Sequence, residues 1–538
     1  MNCSMRGHPL RDVPYEFSWK APPTSTQMLL IASSELVLGW ALAHTGVASC
    51  GPLRAQLLAR AACVTAVADP TAEVCLSSEV CLAPGTDELL GAVVPTLPPL
   101  PLQPEPSPPP PPMPVVSERL IGLDKPTVWS EFGDIARETG AVSLGQGFPD
   151  WKPPDFVVAQ GHAALDEGVH QYTRPAGHPP LVEVLSKRYS SHLHRKIDPL
   201  KEVAITVGAS QALYLTLQAL INPGDEVLLL EPCFDLYYGQ IKLAGGVVRP
   251  VPLAVDVAHA TWTIDLDALE KAVETGRPKL LLLNSPHNPT GTAFPLEVMT
   301  GIAAIVARHP NLLVISDEVY KYTVYAEAAE HVHFAALPGM FERTVTLSSA
   351  GKTFSITGWQ AGWCVGPERL IKPIQLLLPF VQFCVSAPIQ HALAKALTIA
   401  DDPYEGHANY YEWLKELFRS KRKLLADGLE RAGIRPMVGH GGFFLMGDTS
   451  RLIVPQKYLD ERTPAAPDGV TRDWALCRWL AYEAGVIAIP TSPFFSPPNK
   501  HLAANYVRFA FCKSDDTIRE ACDRLEALTK HHLIEGDR

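Results

Sequence analysis

Four stretches combine residue types that could do chemistry, each where an apolar run gives way to small or polar residues. "ITVGASQALYLTLQALI" (205–221) carries β-branched residues into Gly208, then Ala209 and Ser210, then a helical pattern. A tight turn onto a helix N-terminus presents free amides at the positive end of the helix dipole, which suits a phosphate, although many strand-to-helix turns share the pattern. "NSPHNPTG" (284–291) carries asparagines and prolines, which on turn chemistry alone make a turn. "LLVISDEVY" (312–320) ends an apolar run on Asp317, Glu318 and Tyr320. A carboxylate there either caps the next helix or faces a cationic ligand atom. "SSAGKTFSITGWQAGW" (348–363) places Ser349, Gly351 and Lys352 in a small-residue loop, where a lysine is ordinarily solvated. Singly, each has an ordinary explanation. In order, a phosphate turn, an asparagine loop, a strand-terminal aspartate and a loop lysine form a constellation.

The elements that must position them alternate in type. "EVLLLE" (226–231), "KLLLLN" (279–284), "LLVIS" (312–316) and "TVTLSS" (344–349) are short, continuous and apolar on both faces, as in a sheet covered by helices on each side. Helical windows lie between them, with Asp265 and Pro295 near their starts. A longer helical window, Tyr404–Ala432, stops at Gly433 and leads to a smaller domain holding "GGFFLMGD", "GVIAIP" and "YVRFAFC". This is α/β architecture, whose parallel sheets bind ligands at the carboxyl ends of their strands.

Those four motifs, with "VSLGQGFPDW", "HQYTRPAG", "AIPTSPFFS" and "YVRFAF", occur in an order and spacing that resembles the fold-type-I aminotransferases, which use pyridoxal phosphate. Within them residues 117–538 are most similar to the group of kynurenine aminotransferase, glutamine transaminase K, cysteine-S-conjugate β-lyase and methionine aminotransferase-like variants. The resemblance implies a large domain with a mostly parallel seven-stranded sheet plus a smaller α/β domain. Lys352 would carry the cofactor and then move a proton at the substrate α-carbon, and Asp317 would hold the proton on the pyridine nitrogen. Asn288 and Tyr320 would bond the ring hydroxyl oxygen, and Phe234 would stack on the ring. Ala209, Ser210 and Ser349 would cradle the phosphate. Arg508 would grip the α-carboxylate with its guanidinium fork, beside the backbone of Gly147. Trp129 and Tyr172 match aromatics lining the substrate pocket and the cofactor phosphate. The Tyr172 position comes from the neighbouring subunit in the family, which implies a homodimer with shared active sites.

The reaction so implied is ping-pong transfer between an L-amino acid (kynurenine, glutamine, methionine or an aromatic one) and a 2-oxo acid. Alternatives are β-elimination from cysteine conjugates at the same site, or a degenerate cofactor-binding protein without activity. The chain also departs from the family. Gln360 stands where the family pattern has the lysine or arginine that neutralises the cofactor phosphate, so cofactor retention should be weaker. Val385 and Ser386 stand at the pocket edge where kynurenine-selective relatives carry an aromatic residue and histidine. Ser210 replaces a tyrosine found in some relatives.

Composition bounds the rest. The chain has 538 residues, a net charge of −11 and 50 prolines, twelve of them within Pro95–Pro114. That run is a polyproline spacer. The expected division is a poorly ordered extension (1–94), a proline-rich linker (95–114), an arm with part of the small domain (115–160), a large cofactor-binding domain (161–410) and a C-terminal small domain (411–538). The acidic balance offers no basic stripe for nucleic acid. The eleven cysteines hold no C-x-x-C pair, so no metal site is expected and a reducing compartment fits. The stretch from Met28 is interrupted by Glu35 and too polar for a membrane span. The sequence reads as a cytoplasmic protein, an organelle address in the extension being the lesser alternative.

Overall fold

The structure, a computed structural model, describes residues 117–534 apart from 257 and 326–329. The expectations for the extension and the proline-rich run lie outside the described residues. Seven strands form the main sheet: β1 (Val203–Val207), β2 (Glu226–Glu231), β3 (Val247–Pro252), β4 (Leu280–Asn284), β5 (Leu313–Asp317), β6 (Thr344–Ser349) and β7 (Ala361–Val365). Their spatial order is β1-β7-β6-β5-β4-β2-β3. All neighbours pair in parallel except β7, which runs antiparallel to β1 and β6.

The continuous apolar runs have the cause the sequence suggests. Leu229 and Leu282 face one core with Leu213, Leu217, Ile371 and Ile374 from helices α1 (Gly208–Leu220) and α2 (Glu368–Val381). Their neighbours Leu228 and Leu281 face the opposite core with Leu269, Met299 and Ile302. A strand buried on both faces cannot alternate apolar with polar residues. Asp265 and Pro295 are the N-caps expected of them, and Asp265 accepts from the amide of Ala268 at 3.0 Å.

After helix α3 (Ala387–Ile399), the long helix α4 (Tyr410–Arg431) leads to a second, antiparallel sheet. It consists of β8 (Arg435–Met437), β9 (Phe444–Asp448), β10 (Ile489–Pro490) and β11 (Tyr506–Ala510), in the order β8-β9-β11-β10. The helical window expected from Tyr404 starts six residues later. Asn409 accepts from the amide of Glu412 and caps α4 there, while Tyr404 and His407 pair as a small turn. Gly433 ends the helix with φ +68°, as a C-terminal glycine should. Helix α5 (Asp515–Thr529) packs against α4 so closely that a Cβ on Gly428 would lie 2.2 Å from Cys522 Sγ.

Candidate functional site

The carboxyl ends of β4, β5 and β6 and the turn after β1 open onto one cavity of about 470 Å³. Twelve of the residues to which the resemblance gives a site role line it: Trp129, Gly147, Ala209, Ser210, Phe234, Asn288, Asp317, Tyr320, Ser349, Lys352, Gln360 and Arg508. Among the lining residues the cations are Lys352 and Arg508, and the carboxylate is Asp317.

Asp317 closes β5 and is buried. Its Oδ2 accepts from the Tyr237 hydroxyl at 2.8 Å and its Oδ1 from the amide of Val319. Burial pushes the carboxyl up to about 6, against those hydrogen bonds. The Tyr237 hydroxyl is itself pushed well up by burial and by the Asp317 charge, so it keeps its proton and donates. Asn284, at the end of β4, donates to the Asp317 carbonyl and accepts from the amide of Asn288, tying the asparagine loop to β5. Asn288 Oδ1 accepts from Arg508 Nη1 at 2.9 Å, which leaves its amide nitrogen as the end that can donate into the cavity.

Lys352 lies one turn past β6 and donates to the Gly147 carbonyl at 2.8 Å. Burial, aided by Arg508, lowers its ammonium to about 8. A Cβ on Gly147 would come within 2.5 Å of Phe444 Cζ, so only glycine lets the backbone reach the lysine there. Arg508, on β11, is 1% exposed and pulled down to about 10 by burial. It donates to Asn288 and to the Gly145 carbonyl, and its Nε is buried without a hydrogen-bond partner.

At the opposite end, Gly208 adopts φ +71° and starts α1. A Cβ on Gly362 of β7 would lie 2.4 Å from the Gly208 carbonyl carbon and 2.6 Å from the Ala209 nitrogen. Backbone therefore packs on backbone there, and Gly208, Ala209 and Ser210, which open α1, line the cavity. The side chains around them, Ser210, Ser349, Thr357 and Gln360, are neutral. Gln360, with φ +49°, donates to the Thr357 carbonyl at 2.6 Å.

Residues 139–525 match the protein family described as aminotransferase class I and II. The chain belongs to the class I and II aminotransferases. This aminotransferase is 40% identical over 418 residues to a kynurenine–oxoglutarate transaminase of Dictyostelium discoideum, covering 75% of this chain and 94% of that one. Among solved structures it is similar to N-succinyldiaminopimelate aminotransferase of Mycobacterium tuberculosis (35% identity, TM-score 0.68, 77% of this chain and all of the other). It is also similar to an Escherichia coli protein with a methionine aminotransferase function (28% identity, TM-score 0.68, 77% of this chain and all of the other).

The enzyme is thus a pyridoxal-phosphate-dependent aminotransferase of fold type I. Its cavity has the chemistry such a cofactor needs. An amine is held low, a buried carboxylate stands at a strand end, a flat aromatic wall is supplied by Phe234, and a helix N-terminus is opened by close glycine packing. The orphaned Arg508 Nε marks a donor with capacity left.

Three expected residues are not brought to this cavity. Tyr172 is 81% exposed and packs edge-on against Phe383 at 4.8 Å. Val385 is buried in the core and Ser386 is exposed as the N-cap of α3, so neither lines the cavity in its own chain. Conversely, Tyr237 and Asp235 were not legible in sequence. Both sit just after the Phe234 motif, but only the three-dimensional path of that turn shows Tyr237 reaching Asp317 and Asp235 reaching Trp129 at 2.7 Å. Behind Asp317, the buried Glu318 accepts from Ser316, His331 and His333. Against burial, the charges and hydrogen bonds of His333 and His331 hold its carboxyl well below the usual range, so the cluster of Glu318, His331 and His333 is already satisfied by its own hydrogen bonds.

No helix among the described residues is long and apolar enough to cross a membrane.

Proposed function

We propose that this aminotransferase acts on amino acids with an apolar or aromatic side chain, kynurenine and methionine among them, and uses a 2-oxo acid such as 2-oxoglutarate as acceptor. The observation that carries the reading is the union of Lys352, Asp317 and Arg508 in one cavity whose remaining wall is largely aromatic and aliphatic. The Dictyostelium discoideum relative is named for kynurenine and oxoglutarate, and the Escherichia coli one for methionine.

Pyridoxal phosphate, when bound, supplies an aldehyde that condenses with amines and a pyridine ring that draws electrons from the substrate α-carbon. Lys352 would hold the cofactor and would move the proton at the substrate α-carbon. An amine lowered to about 8 is well matched to that task, because both of its protonation states are accessible near neutral pH. Asp317 holds the proton on the pyridine nitrogen, and Tyr237 keeps that carboxylate in line. Asn288 and Tyr320 would orient the ring oxygen, Phe234 would stack on the ring, and the α1 amides with Ser210 and Ser349 would bind the phosphate. Gln360 lines the same end of the cavity and would bring no charge to offset that phosphate. Arg508 takes the α-carboxylate, and Trp129 closes over the substrate. The working unit is a homodimer in which Tyr172 reaches the partner's site, resident in the cytoplasm and without a nucleic-acid partner.

A donor panel of kynurenine, methionine, glutamine and phenylalanine with 2-oxoglutarate tests this. Turnover with the apolar and aromatic donors is the expected result. Turnover with aspartate, added to the panel as an acidic donor, and with none of the apolar and aromatic donors would overturn the substrate reading. Release of pyruvate from an S-conjugate without any 2-oxo acid would show β-elimination at the same site.

A further inference from the structure

Arg508 is buried and charged, yet among the described residues no carboxylate lies within ion-pair distance of it. Three aromatic rings surround it instead. Its Cζ is 4.2 Å from the Phe444 ring centre, 5.1 Å from that of Trp129 and 5.3 Å from that of Phe494. Ring faces stabilise a desolvated guanidinium without occupying its N–H groups. Phe444 stands on β9, directly paired with β11, so its place is fixed by the sheet. Trp129 is not on the sheet, and its ring meets those of Phe234 and Phe494 with centres 6.5 and 6.2 Å apart. It stands on the first turn of the helix Val128–Thr139, and its indole N–H donates to Asp235 Oδ2 at 2.7 Å.

Asp235 follows the stacking residue Phe234. Its other oxygen, Oδ1, is buried without a partner. Burial raises its carboxyl, while the Trp129 bond and the Arg508 charge lower it. No ion pair joins Asp235 to Arg508, although each feels the other's charge. Here the indole takes the carboxylate, and the charge acts on Arg508 at one remove.

We propose that Asp235 is a positioning residue for substrate carboxylate recognition: by bonding the indole of Trp129 it holds that ring against Arg508 and keeps the guanidinium free of an ion pair. The inference rests on the reading of Arg508 as the α-carboxylate group. The same helix has a second, separate anchor. Glu131 accepts from Thr463 at 2.7 Å, Trp474 at 3.1 Å and Arg478 at 2.6 Å. Loss of Asp235 therefore frees the Trp129 ring without detaching the helix.

The test measures binding of 3-phenylpropionate to the holoenzyme by calorimetry, with 3-phenylpropanol as the control lacking a carboxylate. Variants are compared at matched cofactor content and thermal midpoint. Asp235→Ala should weaken the carboxylate about tenfold, in the range of a lost charge-assisted contact, and leave the alcohol unchanged. Asp235→Asn keeps an acceptor for the indole and should stay within about threefold of wild type. Trp129→Phe should cost about as much as Asp235→Ala, and adding Asp235→Ala to it should cost less than about twofold more. Unchanged binding in Asp235→Ala, no rescue by Asn, or full additivity in the double variant overturns the positioning role. Arg508→Gln separates the two claims. If it leaves 3-phenylpropionate binding unchanged, or if wild type shows none, the carboxylate reading fails and the proposal with it. If Arg508→Gln weakens binding and Asp235→Ala does not, only the positioning role fails.

Discussion

Asp317 carries a cost before any ligand arrives. Its carboxyl rises from the ordinary 3.8 to about 6 because burial penalises the charged form. Below about pH 4 the group is protonated folded or unfolded and the penalty is absent; it grows between about 4 and 6 and is constant above. Asp317→Asn should therefore stabilise the cofactor-free protein at pH 7.5 by on the order of 2 kcal/mol, and by little at pH 4. The same change should lower transaminase turnover by about a hundredfold or more, since a neutral partner cannot hold the pyridine proton. Thermal midpoints at the two pH values and a rate assay check both; a destabilised Asn variant at pH 7.5 would contradict the account. Gln360 makes the complementary case. Charge-assisted bonds are roughly twice as strong as neutral ones, so Gln360→Lys should tighten pyridoxal phosphate about tenfold. Equal dissociation constants for the two proteins would show that the neutral cradle is already sufficient. The types at both positions were readable in sequence. Tyr237, which holds Asp317, was not, because a tyrosine on a helix after an aromatic motif looks the same whether it packs or donates.

The elements do one shared task, which is to bring backbone and strand ends together. β4 and β5 deliver Asn284 and Asp317 side by side because they are adjacent and parallel, and β6 carries Ser349 two residues beyond Leu347, the partner of Asp317. Their continuous apolar runs made them legible to within a residue. The start of α4 was less so: periodicity ran back to Tyr404, but the cap at Asn409 decides where the helix begins. The contact between β7 and the start of α1 was invisible, since nothing in "GWQAGW" says that Gly362 meets the backbone of Gly208. That contact yields a clear expectation. Gly362→Ala must push β7 off α1, costing about 1–3 kcal/mol as overpacking usually does, and should lower cofactor content by disturbing the α1 amides. The measurements are a thermal midpoint and the cofactor-to-protein ratio, and an unaffected ratio would remove this element from the cofactor cradle.

At the scale of the whole molecule, Phe383, packed on Tyr172, is 49% exposed, and Phe380, three residues before it in the chain, is 89% exposed. Such a patch on an otherwise well-packed surface suits an interface between two copies. If Tyr172 serves the partner's site, co-expressed Lys352→Ala and Tyr172→Ala chains should regain about a quarter of wild-type activity, one intact site in each hybrid dimer. Activity no higher than that of either variant alone would place Tyr172 outside the partner's site. The fold class and the residues that line the cavity were legible because strand ends and loop residues carry recognisable types. Tyr172, Val385 and Ser386 were harder to place, because one chain's sequence does not say which copy completes the pocket. The most direct measurement of the central claim is a half-reaction. Holoenzyme is mixed with one amino donor from the apolar and aromatic set, without any 2-oxo acid. The account predicts a change in the cofactor's visible absorption and release of about one 2-oxo acid per subunit, neither of which occurs with Lys352→Ala. Catalytic, continuing product release without an acceptor, or an unchanged response in Lys352→Ala, would contradict it.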